Sequence, residues 1–143
     1  MNVAGILKTK GDAVLCLKAG DKVSEAVAML GGKKIGATVV LDEAGGLIGI
    51  LSERDVVRGL AEKGVGVLES SVSDLMTSNV QTCRLSDMVS KIMAQMSEGR
   101  FRHLPVMEDG KLAGIISIGD VVKNRINELE NEANAMRDYI TAG

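Results

Sequence analysis

Two short segments of the chain carry the same three residue types at the same spacing. Each has a glycine, a serine three residues later and an aspartate three residues after that. The two sets are Gly49, Ser52 and Asp55, and Gly114, Ser117 and Asp120. Each set follows an apolar run and opens a helical pattern, and a helix N-terminus offers unpaired N–H groups that favour anions. Because a carboxylate only accepts hydrogen bonds and can take two from a vicinal diol, the pattern indicates a ribose site beside an anion.

The same serine and aspartate pairs also suit a structural role, as N-caps of the helices that follow. Their occurrence in two matching segments favours the binding role over that alternative. The glycine of each motif, Gly49 or Gly114, leaves its strand without a Cβ, which would let a flat base approach the backbone.

The elements that must position these motifs form an internal repeat. An offset of 66 residues places Asp21 on Asp87 and Val40 on Val106, and an offset of 65 aligns residues 47–57 with 112–122. Each copy has a helical apolar face, then two short apolar runs joined by an acidic, glycine-containing turn, then a second helix. We therefore predict two strand-helix-strand-strand-helix units of mixed α/β (α+β) class, each with an apolar face that the other must cover.

Four segments are predicted along the chain. The first repeat covers residues 3–62 and the second covers residues 80–125. Between them lies a polar, serine-rich linker, residues 63–79, with one helical turn near residues 72–76. A long C-terminal helix is predicted over residues 126–143.

The doubled motif, the linker segment 72–77 and the segment 101–106 together resemble a tandem pair of cystathionine-β-synthase (CBS) domains. The resemblance covers about residues 3–125. It implies a stand-alone bacterial-type CBS protein whose two repeats pack with pseudo-two-fold symmetry. It further implies a non-enzymatic regulatory module that binds an adenosyl ligand in clefts between the repeats and signals in trans to an unknown protein partner. The ligands implied are AMP, ADP, ATP, NAD(H) and S-adenosylmethionine, with no metal required.

The two predicted clefts differ in charge. The second repeat carries Arg102 and His103 on its middle strand, where the first carries Gly36 and Ala37. A guanidinium binds phosphate with two parallel hydrogen bonds and an imidazole donates one, so the Ser117/Asp120 cleft is expected to be the better phosphate site. The alternatives are a solvated Arg102 and a His103 that belongs to the core or a strand edge.

Residues outside the two motifs complete the predicted site. Arg54 is expected to reach the ligand of the other repeat, and Lys8 and Lys10, interpreted as loop residues before the first strand, are expected to be solvated more than phosphate-bound. The full predicted ligand-binding set is Ser52, Arg54, Asp55, Thr82, Arg102, His103, Pro105, Ser117 and Asp120.

Composition disfavours several other classes of protein. A net charge of −2 is too acidic for a chain that grips many phosphates of a nucleic acid, and no apolar run is long enough to cross a membrane. Cys16 and Cys83 lack the spacing of a zinc site, and a lone histidine gives no catalytic triad. We expect a cytoplasmic protein that is not an enzyme; an interaction module without ligand and an unrecognised nucleotide-directed enzyme are the alternatives.

The C-terminal segment carries an apolar stripe at alternating spacings of four and three, which is typical of helices that pack on each other. Its members are Val122, Ile126, Leu129, Ala133, Met136 and Ile140. The stripe predicts a homodimer, or a dimer of dimers, built on this helix. The resemblance to CBS pairs implies that the second helix of each repeat also takes part in the contact. The alternative is that the helix folds back on its own chain.

Overall fold

The computed structural model describes residues 1–11 and 13–142. The N-terminal part of the chain forms α1 (Val3–Lys10), β1 (Cys16–Lys18), α2 (Val23–Lys33), β2 (Ala37–Leu41), β3 (Leu47–Ser52) and α3 (Glu53–Lys63). A 3-10 helix (Gly64–Glu69) and the short helix α4 (Val72–Leu75) follow, and α4 confirms the helical turn expected there. The remaining elements are α5 (Val89–Gly99), β4 (His103–Glu108), β5 (Lys111–Ser117) and α6 (Ile118–Ala142).

Each repeat is built around an antiparallel hairpin. Strands β2 and β3 pair with Val39 opposite Ile50, and β4 and β5 pair with Pro105 opposite Ile115. In the first repeat β1 adds to β2 in parallel, which completes a three-stranded sheet. The structure thus confirms a mixed α+β fold made of two related units.

The second repeat differs from the prediction in its first strand. A parallel bridge between Cys83 and Val106 stands where β1 lies in the first repeat, while β4 and β5 form a two-stranded sheet. The Cys83 amide donates to the Pro105 carbonyl at 3.0 Å, and the Met107 amide donates to the Cys83 carbonyl at 2.8 Å. Pro105 has no N–H with which to continue this ladder toward the N-terminal side, so the pairing stays short.

Helix α1 corrects the expectation that Lys8 and Lys10 lie in a loop. Asn2 caps the helix by accepting a hydrogen bond from the Gly5 amide at 3.1 Å. The buried side chains of α1 belong to the core of the second repeat, not to that of the first repeat, which they precede in the sequence. They are Val3, Ile6 and Leu7, and they cluster with Ile92, Leu104 and Ile116.

Helix α4 has the same role in the other half. Val72 and Leu75 are buried in the first core together with Leu17, Val40 and Leu51. The α1 and α4 segments also make matching bridges, Asn2 with Met88 and Ser71 with Lys22. Since each core takes in a helix from the segment preceding the other repeat, the two units are tied together with pseudo-two-fold symmetry.

Helix α6 is one continuous helix that includes both the second helix of the second repeat and the predicted C-terminal helix, up to Ala142; Gly143 lies outside the described residues. Beyond the buried Val121, the apolar stripe is exposed along its length, from Val122 at 46% to Ile140 at 69%. The helix therefore does not fold back onto its own chain. In residues 1–11 and 13–142, none of the helices is both long and apolar enough to span a membrane.

Candidate functional site

Asp55 lies at the start of α3, where its carboxylate is surrounded by donors. Oδ2 accepts the Ser52 amide at 3.0 Å, and the Asp55 amide donates to Ser52 Oγ at 3.2 Å, which forms a capping box. Oδ1 accepts Arg58 Nη2 at 2.8 Å and the Thr77 hydroxyl at 3.3 Å. Asp55 is only 4% exposed, so this carboxylate both caps the helix and links it to the segment after α4.

Asp120 holds the matching place at the start of α6. Oδ2 accepts the Ser117 amide at 2.9 Å, and the Asp120 amide donates to Ser117 Oγ at 3.2 Å. Lys10 Nζ donates to the same Oδ2 at 2.5 Å and to the Ile115 carbonyl at 2.8 Å. Burial by itself raises the pKa of Asp120, but the hydrogen bonds from Lys10 and Ser117 outweigh it and hold the pKa below its ordinary value.

A cavity of about 540 Å³ lies between the two repeats. Ile50 of β3 and Thr77 line one side, while Phe101 and His103 of the second repeat line the other. His103 lies opposite Ser117 in the β4–β5 pair, and the cavity that it lines also includes Thr77, which donates to Asp55, so His103 stands between the two motifs. This volume falls within the range of small-ligand pockets.

His103 stands close to the first repeat. A Cβ added to Gly36 would lie 3.2 Å from the imidazole Nε2, so a larger residue there would require the ring to shift by a few tenths of an ångström. Burial lowers the pKa of His103, and the nearby positive charge of Lys10 lowers it further, against the opposing effect of Glu53. The imidazole is therefore neutral at pH 7, with a donor and an acceptor nitrogen.

Gln95, on α5, also lines the cavity. Its Oε1 is buried and accepts no hydrogen bond from the part of the chain that the structure describes. A buried acceptor without a donor is costly, so this atom favours a ligand that brings an N–H or O–H group into the cavity.

The motif glycines accommodate helices, which corrects the expectation that they let a base approach the strand. A Cβ on Gly49 would collide with the side chain of Met76, and one on Gly114 would lie 2.8 Å from Leu7 Cδ1. These glycines thus allow Met76, which directly follows α4, and Leu7 of α1 to pack directly on the sheets.

The other predicted site residues lie apart from this cavity. Thr82 lines a separate cleft of about 410 Å³ together with Asp87 and Lys91, and Pro105 is buried in β4. The side chains of Arg54 and Arg102 are exposed, and neither cavity includes them among its described lining residues. Within residues 1–11 and 13–142, no group of three His, Cys, Asp or Glu side chains could hold a metal ion.

Three residues of these sites were not predicted from the sequence. Lys10 was assigned to a loop, although the i, i+3, i+4 spacing of Val3, Ile6 and Leu7 is a helical signal that could have placed it correctly. Thr77 and Gln95 carry no sequence signal of their own, because their roles depend on the walls that the two repeats bring together.

Comparison with known proteins identifies the fold that holds these sites. The family model described as "CBS domain" matches residues 9–62 and 72–127, once in each repeat. The chain belongs to the CBS domain family. Its two CBS repeats form the tandem pair that the doubled motif suggested.

Similar proteins carry the same pair. A crystal structure of the CBS-domain containing protein ATU1752 from Agrobacterium tumefaciens is 46% identical, with a TM-score of 0.85, and the match covers 87% of this chain and 99% of that one. The CBS domain-containing protein CBSX3, mitochondrial, from Arabidopsis thaliana is 32% identical over 99% of this chain and 72% of its own length. The CBS domain pair of protein MJ0100, solved with 5′-methylthioadenosine and S-adenosyl-L-methionine, has a TM-score of 0.80, covering 90% of this chain and 98% of that one; at 23% identity it shows the shared fold.

Proposed function

We propose that this chain is a non-enzymatic regulatory module that binds an adenosyl ligand in the clefts between its CBS repeats and signals in trans to a protein partner. The single observation that carries the proposal is the 540 Å³ cavity between the repeats, whose lining includes Gln95, a residue with a buried and unsatisfied Oε1. AMP, ADP, ATP, NAD(H) and S-adenosylmethionine share the adenosine that this cavity would take.

The lining of the cavity suits an adenosine part by part. Phe101 and Ile50 offer apolar surface to a flat base, and Gln95 Oε1 offers an acceptor to the exocyclic amine of adenine. Thr77 stands between the cavity and Asp55, so a ribose hydroxyl that replaces the Thr77 hydroxyl would reach the Asp55 carboxylate. The ligands named for the pair of MJ0100 are of this adenosyl class.

The titratable groups of the two clefts favour a regulatory role over a catalytic one. The sequence has a single histidine, His103, so there is no second imidazole to act with it as an acid–base pair. Both motif aspartates are already hydrogen-bonded to helix N-termini and cations. Such groups hold a ligand by hydrogen bonds, and a ligand that binds one conformation more tightly shifts the population toward it.

The proposed assembly is a homodimer, or a dimer of dimers, formed through α3 and α6. Their exposed apolar side chains include Val57 at 64%, Leu129 at 48% and Met136 at 61%. A second copy of the chain fits this surface because a two-fold contact places the same apolar stripe on both partners. The proposed location is the cytoplasm, whose reducing conditions suit the free thiols Cys16 and Cys83.

Thermal unfolding with a panel of AMP, ADP, ATP, NADH and S-adenosylmethionine tests the ligand class. A ligand at 100 times its Kd stabilises the folded state by about 2.7 kcal/mol, which raises the Tm by about 9 °C in a domain of this size. GMP and CMP serve as controls for the base. If no adenosyl compound raises the Tm, the clefts do not bind this class and the chain is an interaction module.

A further inference from the structure

Lys10 connects α1 to the motif of the second repeat across 110 residues of sequence. Its ammonium group donates to Asp120 Oδ2 at 2.5 Å and to the Ile115 carbonyl at 2.8 Å. The Lys10 side chain is 35% exposed and that of Asp120 is 22% exposed, so the pair is partly open to solvent and does not lie in the core. A ligand group that takes Oδ2, the oxygen that Lys10 shares with the Ser117 amide, displaces this lysine.

The charge of Lys10 acts on the whole end of the cleft. It holds the pKa of Asp120 below its ordinary value and adds to the burial that lowers the pKa of His103. At pH 7 the cleft thus has an ionised carboxylate, a neutral imidazole and an ammonium group close together. If the carboxylate turns to another partner, the ammonium is left free to bind an anion.

The first repeat has no such lysine at the matching place. The spacing of 69 residues that relates Val3 to Val72 places Asn79 where α1 has Lys10. Asp55 instead pairs with Arg58, which lies one turn along its own helix. The two clefts therefore differ in whether a cation from outside the motif helix holds the aspartate.

We propose that Lys10 makes the Ser117/Asp120 cleft selective for phosphorylated adenosyl ligands, an inference that rests on the proposed function. When ribose hydroxyls displace Lys10 from Asp120, a phosphate on the same ligand accepts the freed ammonium, so one charge-assisted contact replaces another. A neutral nucleoside breaks the same ion pair but has no phosphate to accept a hydrogen bond from the freed ammonium. Lys10 is thus the residue that separates AMP from adenosine at this cleft.

Calorimetric titration with AMP and with adenosine tests this role. In the wild type, AMP binds more tightly than adenosine, and the ratio falls as NaCl is raised because the phosphate contact is ionic. Lys10→Met is expected to weaken AMP by about tenfold and to leave adenosine equal or tighter, so that the ratio collapses. Lys10→Arg, which keeps the charge, retains the ratio.

Lys8→Met is the matched control, since Lys8 is exposed on the same helix and carries the same charge. Thermal melts of each variant show whether α1 remains folded on the second repeat, and Lys10→Arg provides the charge-retaining comparison if Lys10→Met is unstable. An unchanged AMP to adenosine ratio in Lys10→Met, with AMP still bound, overturns the role of Lys10 and leaves the proposed function standing. A wild type that binds neither compound overturns both.

Discussion

Replacing Gln95 by methionine is predicted to change stability and ligand affinity in opposite directions. Methionine is the residue that the chain itself places at the matching position of the first repeat, Met29, where it packs against the first core. Gln95 Oε1 is buried without a donor, and an unsatisfied acceptor of this kind costs about 1–3 kcal/mol. Gln95→Met removes that cost, so the unliganded variant should be more stable than the wild type by about 1 kcal/mol.

The effect on binding has the other sign. If the amino group of adenine donates to Oε1, the variant loses a hydrogen bond with a net value of about 0.5–1.5 kcal/mol, which corresponds to roughly 2- to 13-fold weaker AMP binding. Purine riboside 5′-monophosphate lacks that amino group, and its affinity should be the same in both proteins. Urea unfolding measures the first effect and calorimetry measures the second.

Ser97→Ala is the matched control, because Ser97 is exposed on the same helix and does not line the cavity. Equal AMP affinity in Gln95→Met and the wild type would mean that Oε1 does not face the base. An unliganded Gln95→Met that is less stable than the wild type would show that Oε1 already has a donor, and the argument from burial would be refuted.

Three further predictions concern the motif aspartates, the helix α6 and the thiols. Asp120→Asn should weaken AMP binding by about 1.5–3 kcal/mol in calorimetry, and both Asp120→Asn and Asp55→Asn should lower the free energy of unfolding by about 0.5–2 kcal/mol because each aspartate exchanges hydrogen bonds with the serine that precedes its helix. Unchanged affinity in both variants would contradict the ribose assignment. Deleting residues 127–143 should weaken the dimer and spare nucleotide binding, and light scattering that gives a full-length monomer would contradict the proposed assembly. Burial raises the pKa of the Cys83 thiol to about 12, so a thiol reagent at pH 8 should modify the exposed Cys16 and reach Cys83 only after unfolding; rapid modification of both would refute this burial.

The sequence predicts the repeated architecture well because the repeat itself carries the signal. A shared offset places matching apolar faces and matching turns in both halves, and the structure has a hairpin and a following helix in each. A first strand was also expected in the second repeat, and the structure has a single bridge there, because Pro105 lacks the N–H that would extend the ladder.

The site was less predictable because its contacts cross between repeats. Val3, Ile6 and Leu7 have a helical spacing, but nothing in that spacing says that their partners lie about 100 residues away in the second core. With α1 misassigned, Lys10 was expected to be solvated. The role of Gln95 was unpredictable for the same reason. Whether its buried acceptor lacks a donor depends on the residues packed around it and not on the residue type.

The two proposed activities of the chain meet on one helix. Ser117 and Asp120 lie where β5 ends and α6 begins, and α6 continues to Ala142 with its apolar stripe exposed. At 1.5 Å per residue, its 25 residues span about 37 Å, so the ligand cleft and the far end of the stripe belong to one continuous element. Because Lys10 ties the start of this helix to α1, a ligand that exchanges the Lys10 contact changes what holds α6 in place. The two repeats are thus related by pseudo-two-fold symmetry, but the connection through α6 is asymmetric: it runs from Asp120 in the second repeat to the apolar stripe that a second copy would cover.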